Sequence, residues 1–332
     1  MPDSPVVTTM REFKRLLAAR EARQVQAMTA RWMALESRLA AQIELLARVW
    51  LERFQAGEEV SQAALFRFER YQALLAQVQA ELEGYAVYAD GLIANGQREM
   101  LQLGIGHAGA AIDATTGGAV GFMRLPIEAV ENMAGLLADG SPLRSLLLNA
   151  AKQAECADRM TSALLEGTAL GWNPRKTARA MGDGLAGGMD QALTVARSEQ
   201  LRVYREANRQ AMAASGLVAE YMRLVTKDTR TCMACMVRDG ERIAVERPLD
   251  EHPNGRCAQV PVVVGFEPPQ WQSASDWFMT RSAEQQRAMM GTARWEAWRR
   301  GEFELSDLAQ TVHGREFGPG LRSVALKALV NR

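Results

Sequence analysis

From Thr9 to Ala56 the sequence contains neither proline nor glycine, and this run constrains the fold more than any other feature. Proline in a helix interior costs about 3 kcal/mol and glycine about 1 kcal/mol relative to alanine, so excluding both favours one uninterrupted helix. Apolar residues recur along it at Met28, Trp32, Leu35, Leu39, Ile43, Leu46, Trp50 and Phe54. Steps of three and four put them on one face, a stripe that must be buried against something. After the polar break GEEVS a second stripe runs through Leu65, Phe68, Tyr71, Leu75, Val78, Leu82, Tyr85 and Leu92. Two stripes joined by a short break predict an antiparallel helical hairpin over 11–103, preceded by a flexible N-terminus over 1–10. The stripe reads as core, and the remaining surface of so long a hairpin is a candidate docking stalk for a partner.

Residues 104–145 are rich in glycine and turn formers, and 104–217 reads as Gly-rich connections leading into a helical body. Ser141 before Pro142, and Asn173 before Pro174, each place a capping residue ahead of a proline at a first helical position. A helix from about Met189 to Ala214 ends at Gly216. From LVAEYMRLVT through ERIAV to AQVPVVVGF the period changes from about 3.6 to 2, which predicts a small β unit over 218–266. Past EPPQW the chain returns to helix over 267–332. There Ser282 and Gln285 form a capping box closed by Gly291, Ser306 is expected to cap a short helix SDLAQTV, and Trp271, Trp277, Trp295 and Trp298 supply a small core. The predicted class is mainly α with a small β element (α+β): a long N-terminal helical hairpin, a helical middle, a compact metal-knuckle β unit and a helical C-terminal tail.

Lys and Arg together number 39, as do Asp and Glu, so no global field draws the chain toward nucleic acid or anionic lipid. The N-terminus carries an early Asp and no apolar run of signal-peptide length, and nothing approaches the roughly 18 uninterrupted apolar residues of a membrane span. A cytosolic protein with no membrane partner is expected. The P-loop, H-E-x-x-H and G-x-S-x-G patterns do not occur. Gly104, Gly106 and Gly109, and again Gly182, Gly184 and Gly187, spell the dinucleotide fingerprint, but their helix-like flanks lack the strand-to-helix setting it needs. Glu81 with Glu83, and Glu302 with Glu304, form E-x-E pairs of the transferase kind; a pattern that occurs twice by chance carries no weight. Cys156, among apolar residues at helical spacing, reads as a packed thiol.

The other three cysteines fall in one segment, where Cys232 and Cys235 form C-x-x-C and are followed by His252 and Cys257. In a reducing compartment such a cluster points to metal binding or catalysis before disulfides. Two thiolates on a tight turn grip an ion from one side and a returning loop completes a tetrahedron; three cysteines with one histidine are a structural zinc set. Four protein ligands leave no open position, so such a site staples rather than hydrolyses. Three thiolates around Zn²⁺ leave a net charge of about −1, which Arg230, Arg238 and Arg256, near in sequence, are placed to offset. The competing readings are an ion-free set of thiols and a local Cys232–Cys235 disulfide. Zinc deaminases place H-x-E ahead of P-C-x-x-C, the reverse of the order here, and a His-Asn-His nuclease needs a second nearby histidine. A metal-dependent nuclease or transferase centred on His252 is the alternative class. It predicts an open metal position and a pocket with perturbed carboxylates such as Asp250 and Glu251.

The run DTRTCMAC, then GERI, then HPNGRC before a valine-rich strand, resembles the head-morphogenesis, or minor head, protein family of tailed bacteriophages, the F-like proteins of Mu-type phages. GWNPRKTARAM and VARSEQLRVYREANR upstream, and QQRAMMGTARWEAWRRGEFELSDL downstream, agree in order. The resemblance covers roughly residues 150–310 and leaves the hairpin without a distinctive motif. It implies a minor capsid protein of the virion, present in few copies at the portal vertex and inner head surface and in the host cytoplasm during assembly. The implied role is structural rather than enzymatic, in head morphogenesis and in DNA packaging or ejection. Implied partners are the portal protein and the major capsid or scaffold protein, with non-specific contact to packaged DNA. Two positions depart from the family: Gly255 stands where some relatives have a further cysteine, and SEQ at 198–200 stands where TEQ or TEV is commoner, on what is expected to be a surface-facing helix.

Overall fold

The computed structural model describes residues 2–147, 149–314 and 318–330, so the outermost residues of the expected terminal segments lie outside the described residues. The fold is mainly α with a small β element, as expected. The elements run α1 (Pro5–Gln55), α2 (Gln62–Phe66), α3 (Glu69–Thr116), α4 (Ala150–Ala169), α5 (Pro174–Ala214), β1 (Val218–Leu224), α6 (Met233–Val237), β2 (Arg242–Ala244), β3 (Ala258–Val263), α7 (Ala274–Met279), α8 (Ala283–Met290), α9 (Thr292–Arg299), β4 (Ala309–Gly314), β5 (Gly318–Ser323) and α10 (Leu326–Val330). They divide into two compact units, neither of them continuous in sequence. A helical unit comprises Glu21–Ala94 and Ser141–Ala196; a mixed unit comprises Met1–Arg20, Asn95–Gly140 and Arg197–Arg332. Helices α1, α3 and α5 each supply residues to both units, so divisions drawn along the sequence at 103 or 217 do not coincide with them.

In the helical unit α1 and α3 run antiparallel. The Tyr85 hydroxyl donates to the Met28 carbonyl at 3.4 Å, Tyr85 meets Trp32 edge-on at 4.8 Å, Arg38 grips Glu81 at 2.6 and 2.7 Å, and Trp50 lies 5.7 Å from Phe68. Trp32, Leu35, Leu39, Ile43, Leu46 and Trp50 are buried, facing a core that includes Leu74, Val78, Leu82 and Tyr85. The α1 stripe stops one turn early: Phe54 is exposed, and on α3 Leu74 replaces Leu75 as the buried residue. Asn149 caps α4 by accepting from Lys152 N at 3.0 Å, whereas Ser141 and Pro142 lead only into a 3-10 turn at Leu143–Ser145 that lacks a side-chain cap. Asn173 caps α5 as expected, accepting from Arg175 N at 2.9 Å, but α5 then runs unbroken through Gly182, Gly184 and Gly187 instead of starting near Met189. Cys156 is a buried thiol facing the Leu185 carbonyl.

In the mixed unit the chain is helical from Pro5, within the stretch expected to be a flexible N-terminus. Val6, Val7 and Met10 form an apolar face buried with Ala111, Leu224, Ala258 and Val260, and that burial fixes the first turns. Likewise GIGHAG is helix interior rather than turn. A side-chain carbon on Gly104 would lie 2.5 Å from the Tyr204 carbonyl oxygen, so this glycine lets the α3 and α5 backbones touch, and Asn208 Nδ2 donates to the Gly104 carbonyl at 3.2 Å. His107, one turn on, stacks on Phe13 at 3.5 Å and meets the Tyr204 hydroxyl at 3.0 Å.

The three predicted strands form an antiparallel sheet in the order β2-β1-β3, with Tyr221 opposite both Ile243 and Pro261. Asp239, between α6 and β2, joins three segments: Oδ1 accepts from Val225 N at 2.8 Å, and Oδ2 from Trp271 Nε1 at 2.9 Å and Ala274 N at 2.8 Å. The Ser282–Gln285 capping box and the Gly291 terminus form as expected. The helix SDLAQTV does not. Leu305–Leu308 is a 3-10 turn boxed by Glu304 and Asp307, and the alternating residues that follow become β4, paired with β5. A core of Phe278, Met290, Phe303, Leu308 and Leu321, flanked by Trp277, Trp295 and Trp298, closes over α6.

Candidate metal centre

The centre is assembled from a one-turn helix and a returning loop. Cys232 is the N-cap of α6, its sulfur accepting from Cys235 N at 3.3 Å, so the C-x-x-C spacing places two sulfurs on one side of a single turn. After β2 the chain returns through Glu251–Cys257. Gly255 N donates to the His252 carbonyl at 2.9 Å, and Asn254 sits at φ 61°, the left-handed region that asparagine tolerates. This loop is pinned to α5: Asn254 N donates to Ser198 Oγ at 3.0 Å, and Arg205 Nη1 to the Gly255 carbonyl at 3.1 Å. The ARSEQLRVYR and HPNGRC stretches therefore meet in space. Ser198, Glu199 and Gln200 are buried, not surface-facing, because this loop and α3 cover them.

Cys232 Sγ lies 3.2 Å from His252 Nε2, and the ligand atoms of Cys232, Cys235 and His252 all fall within 4.8 Å of one another. Cys235 and Cys257 form a second such group with Glu251. The four residues predicted from sequence are thus gathered about Cys235, as a cluster able to hold a metal ion. Cys232 and Cys235 are free thiols rather than a disulfide. His252 Nδ1 lies 2.8 Å from the Pro253 carbonyl; an N–H donated there leaves Nε2 as the atom facing sulfur, the arrangement typical of metal-bound imidazoles.

Electrostatics favour a Cys232 thiolate facing a protonated His252. The hydrogen bond from Cys235, followed by the His252 imidazole, holds Cys232 down at about 5 against its burial. The same contact with Cys232, reinforced by Glu251, raises His252 to about 9. Hydrogen bonds to Cys232 and Cys257, together with burial, push the Cys235 thiol upward, so within the C-x-x-C pair Cys232 loses its proton first. Burial alone would raise Glu251, but Arg205, Arg223 and His252 outweigh it and keep the carboxylate ionised. Burial would lower Arg223, yet Cys257, Glu251 and Cys235 hold it firmly protonated.

The cations expected to balance the cluster are not the ones that do so. Arg256 is committed to Asp228 at 2.6 and 2.8 Å, Arg238 faces Glu241 at 3.3 Å, and the Arg230 side chain is 80% exposed. The buried cations come instead from Arg205 on α5 and Arg223 on β1, the latter 3.7 Å from Glu251 and donating to the Asp250 carbonyl at 2.8 Å. One signal was available. In β1, Arg223 occupies the same face as Tyr221, and a charged residue on the inward face of a strand demands a partner.

Beside the loop lies a cleft of about 480 Å³ lined by Glu199, Arg202, Arg205, Asp250, His252 and Gln259, with Leu136 and Leu249 among its apolar residues. Glu199 accepts from Arg202 Nε at 2.8 Å, and burial raises its carboxyl above the usual range. No helix among the described residues is long and apolar enough to cross a membrane. Comparison with known proteins finds no matching protein family, curated sequence or solved structure.

Proposed function

We propose that this chain is a structural minor head protein of the tailed-phage head-morphogenesis type, stapled by a zinc ion on Cys232, Cys235, His252 and Cys257. One observation carries the reading: three stretches on which the resemblance rests, the DTRTCMAC turn, the HPNGRC loop and the ARSEQLRVYR helix, converge on one buried cluster. The donor set supports zinc, as three sulfurs and an imidazole with its second nitrogen occupied make a closed structural site. Charge supports it too. Three thiolates and Zn²⁺ leave −1 and Glu251 adds −1, which Arg205 and Arg223 balance by formal counting. The ion supplies cross-linking free energy to a segment whose own elements are short, while the long hairpin offers helical surface to the portal, capsid or scaffold protein, with packaged DNA as a local, non-specific contact.

The test is purification of assembling heads with the native chain and with Cys232→Ser. Stoichiometric zinc, association with the portal ring, and loss of both zinc and fold in the variant are expected. A wild-type chain absent from portal-containing particles overturns the structural role.

The cleft favours a second reading, a head-carried metal-dependent nuclease or transferase, because Glu199, Asp250 and His252 line it together. That reading requires Cys232→Ser to leave a folded, inactive protein and Glu199→Gln to abolish hydrolysis of DNA or transfer to an acceptor.

A further inference from the structure

Glu251 is a carboxylate in a setting that one structural role does not exhaust. Its side chain is only 3% exposed. Oε1 lies 3.4 Å from Cys235 Sγ and 3.5 Å from His252 Nε2, and accepts from His252 N at 3.1 Å. Oε2 accepts from Cys257 N at 3.3 Å and faces Arg223. Bonds of about 2.0–2.3 Å to zinc put neighbouring donors of a tetrahedron roughly 3.3–3.8 Å apart. The spacing of Oε1 to a sulfur on one side and an imidazole nitrogen on the other is therefore that of a ligand, and it matches the 3.2 Å between Cys232 and His252.

Gly255 gives a second, independent indication. A side-chain carbon there would stand 2.2 Å from both Cγ and Cδ of Glu251. The glycine thus keeps open the volume through which the carboxylate reaches the sulfurs. The ligand atoms of Glu251, Cys257 and Cys235 all lie within 4.8 Å of one another, so the carboxylate stands within reach of the position that the Cys257 thiol holds.

We propose that Glu251 is a fifth donor of the metal centre, one that takes the coordination position of Cys257 when that thiol is absent. The inference rests on the zinc reading above and extends it: five donors serve four positions, so the ion survives the loss of Cys257 but not of Cys232. Carboxylate oxygen is an accepted zinc ligand, so the exchange requires no change of ion.

The test uses the full chain as wild type, Cys257→Ser, Glu251→Gln, the double variant and Cys232→Ser, each loaded with zinc and, separately, with cobalt(II). The readouts are bound metal, the sulfur-to-cobalt charge-transfer band and circular dichroism. Cys257→Ser is expected to keep one equivalent of zinc at about 10–100-fold weaker affinity, with the band reduced by about one third as three thiolates become two. Glu251→Gln keeps zinc and the full band, and the double variant loses zinc. If Cys257→Ser does not fold, Cys257→Ala fills the same buried position without a polar atom and carries the same expectation. A wild type that binds zinc alongside Cys257 variants as empty as Cys232→Ser overturns this proposal alone. A wild type that takes up no zinc overturns the parent reading with it.

Discussion

The Trp32–Tyr85 core of the helical unit and the Cys232–Cys257 segment of the mixed unit are held by opposite means. The first is two long helices whose stripes bury tryptophan, leucine and tyrosine, a non-directional force spread over many residues. The second has a five-residue helix and a three-residue strand, and it buries Arg205, Arg223 and Glu251 among three thiols. Burial of apolar area tolerates volume-conserving change, whereas a buried charge set is favourable only while every member is present. A graded response is therefore expected from one region and an abrupt one from the other.

The largest effect should follow metal removal. Structural zinc contributes on the order of 10 kcal/mol, comparable to the whole stability of a domain. Chelation is expected to abolish hydrogen-exchange protection in β1, β3 and α6 while leaving it intact around Trp32 and Tyr85; uniform loss, or none, breaks the contrast. Next, Trp32→Ala should cost about 3–5 kcal/mol in denaturant unfolding through the cavity it leaves, with zinc content unchanged. Smaller still is a glycine pair on α3. Gly104→Ala, whose new carbon meets the Tyr204 carbonyl, should cost about 1–3 kcal/mol, while Gly106→Ala, with open space around it, should stabilise by up to about 1 kcal/mol.

The least effect concerns His107. Burial, and then Arg20, lower it from its ordinary 6.5 to about 4. The unfolded chain therefore binds that proton more readily, so the neutral ring's contribution is whole above pH 6.5 and drains away as pH falls toward about 4. His107→Phe should flatten this acid-side slope in thermal melts taken between those two values.

The long helices were legible because a 3.6-residue stripe is a local signal, and β1, β2 and β3 because their period is also local, whereas β4 and β5 fell inside a tail read as helix. What escaped the sequence was set by contacts between distant segments. Gly104 looked like a turn residue, since nothing in its neighbourhood announces the Tyr204 backbone it approaches. The first ten residues looked free because the sheet residues that cover Val6 and Met10 come more than two hundred positions later. At the candidate centre the four soft ligands stood out by chemical type alone. Their counter-charges come from Arg205 and Arg223 rather than from the nearest arginines, since proximity along a chain says little about proximity across a sheet. In the sequence Glu251 is only a carboxylate next to His252, because its place beside Cys235 depends on a loop fold pinned by Ser198 and Arg205.

Asp239 adds a consequence in time. Every thiol of the centre has been synthesised by Cys257, but Trp271 and Ala274, which close onto Asp239, and the apolar residues from Phe278 to Leu321 that cover α6, emerge only afterwards. During translation the four candidate ligands are therefore complete before their cover exists, so that an ion would have open access to them for the length of chain between Cys257 and α7. In the finished fold that late-made cover packs against Cys232, Cys235 and Cys257, while His252 still lines the cleft.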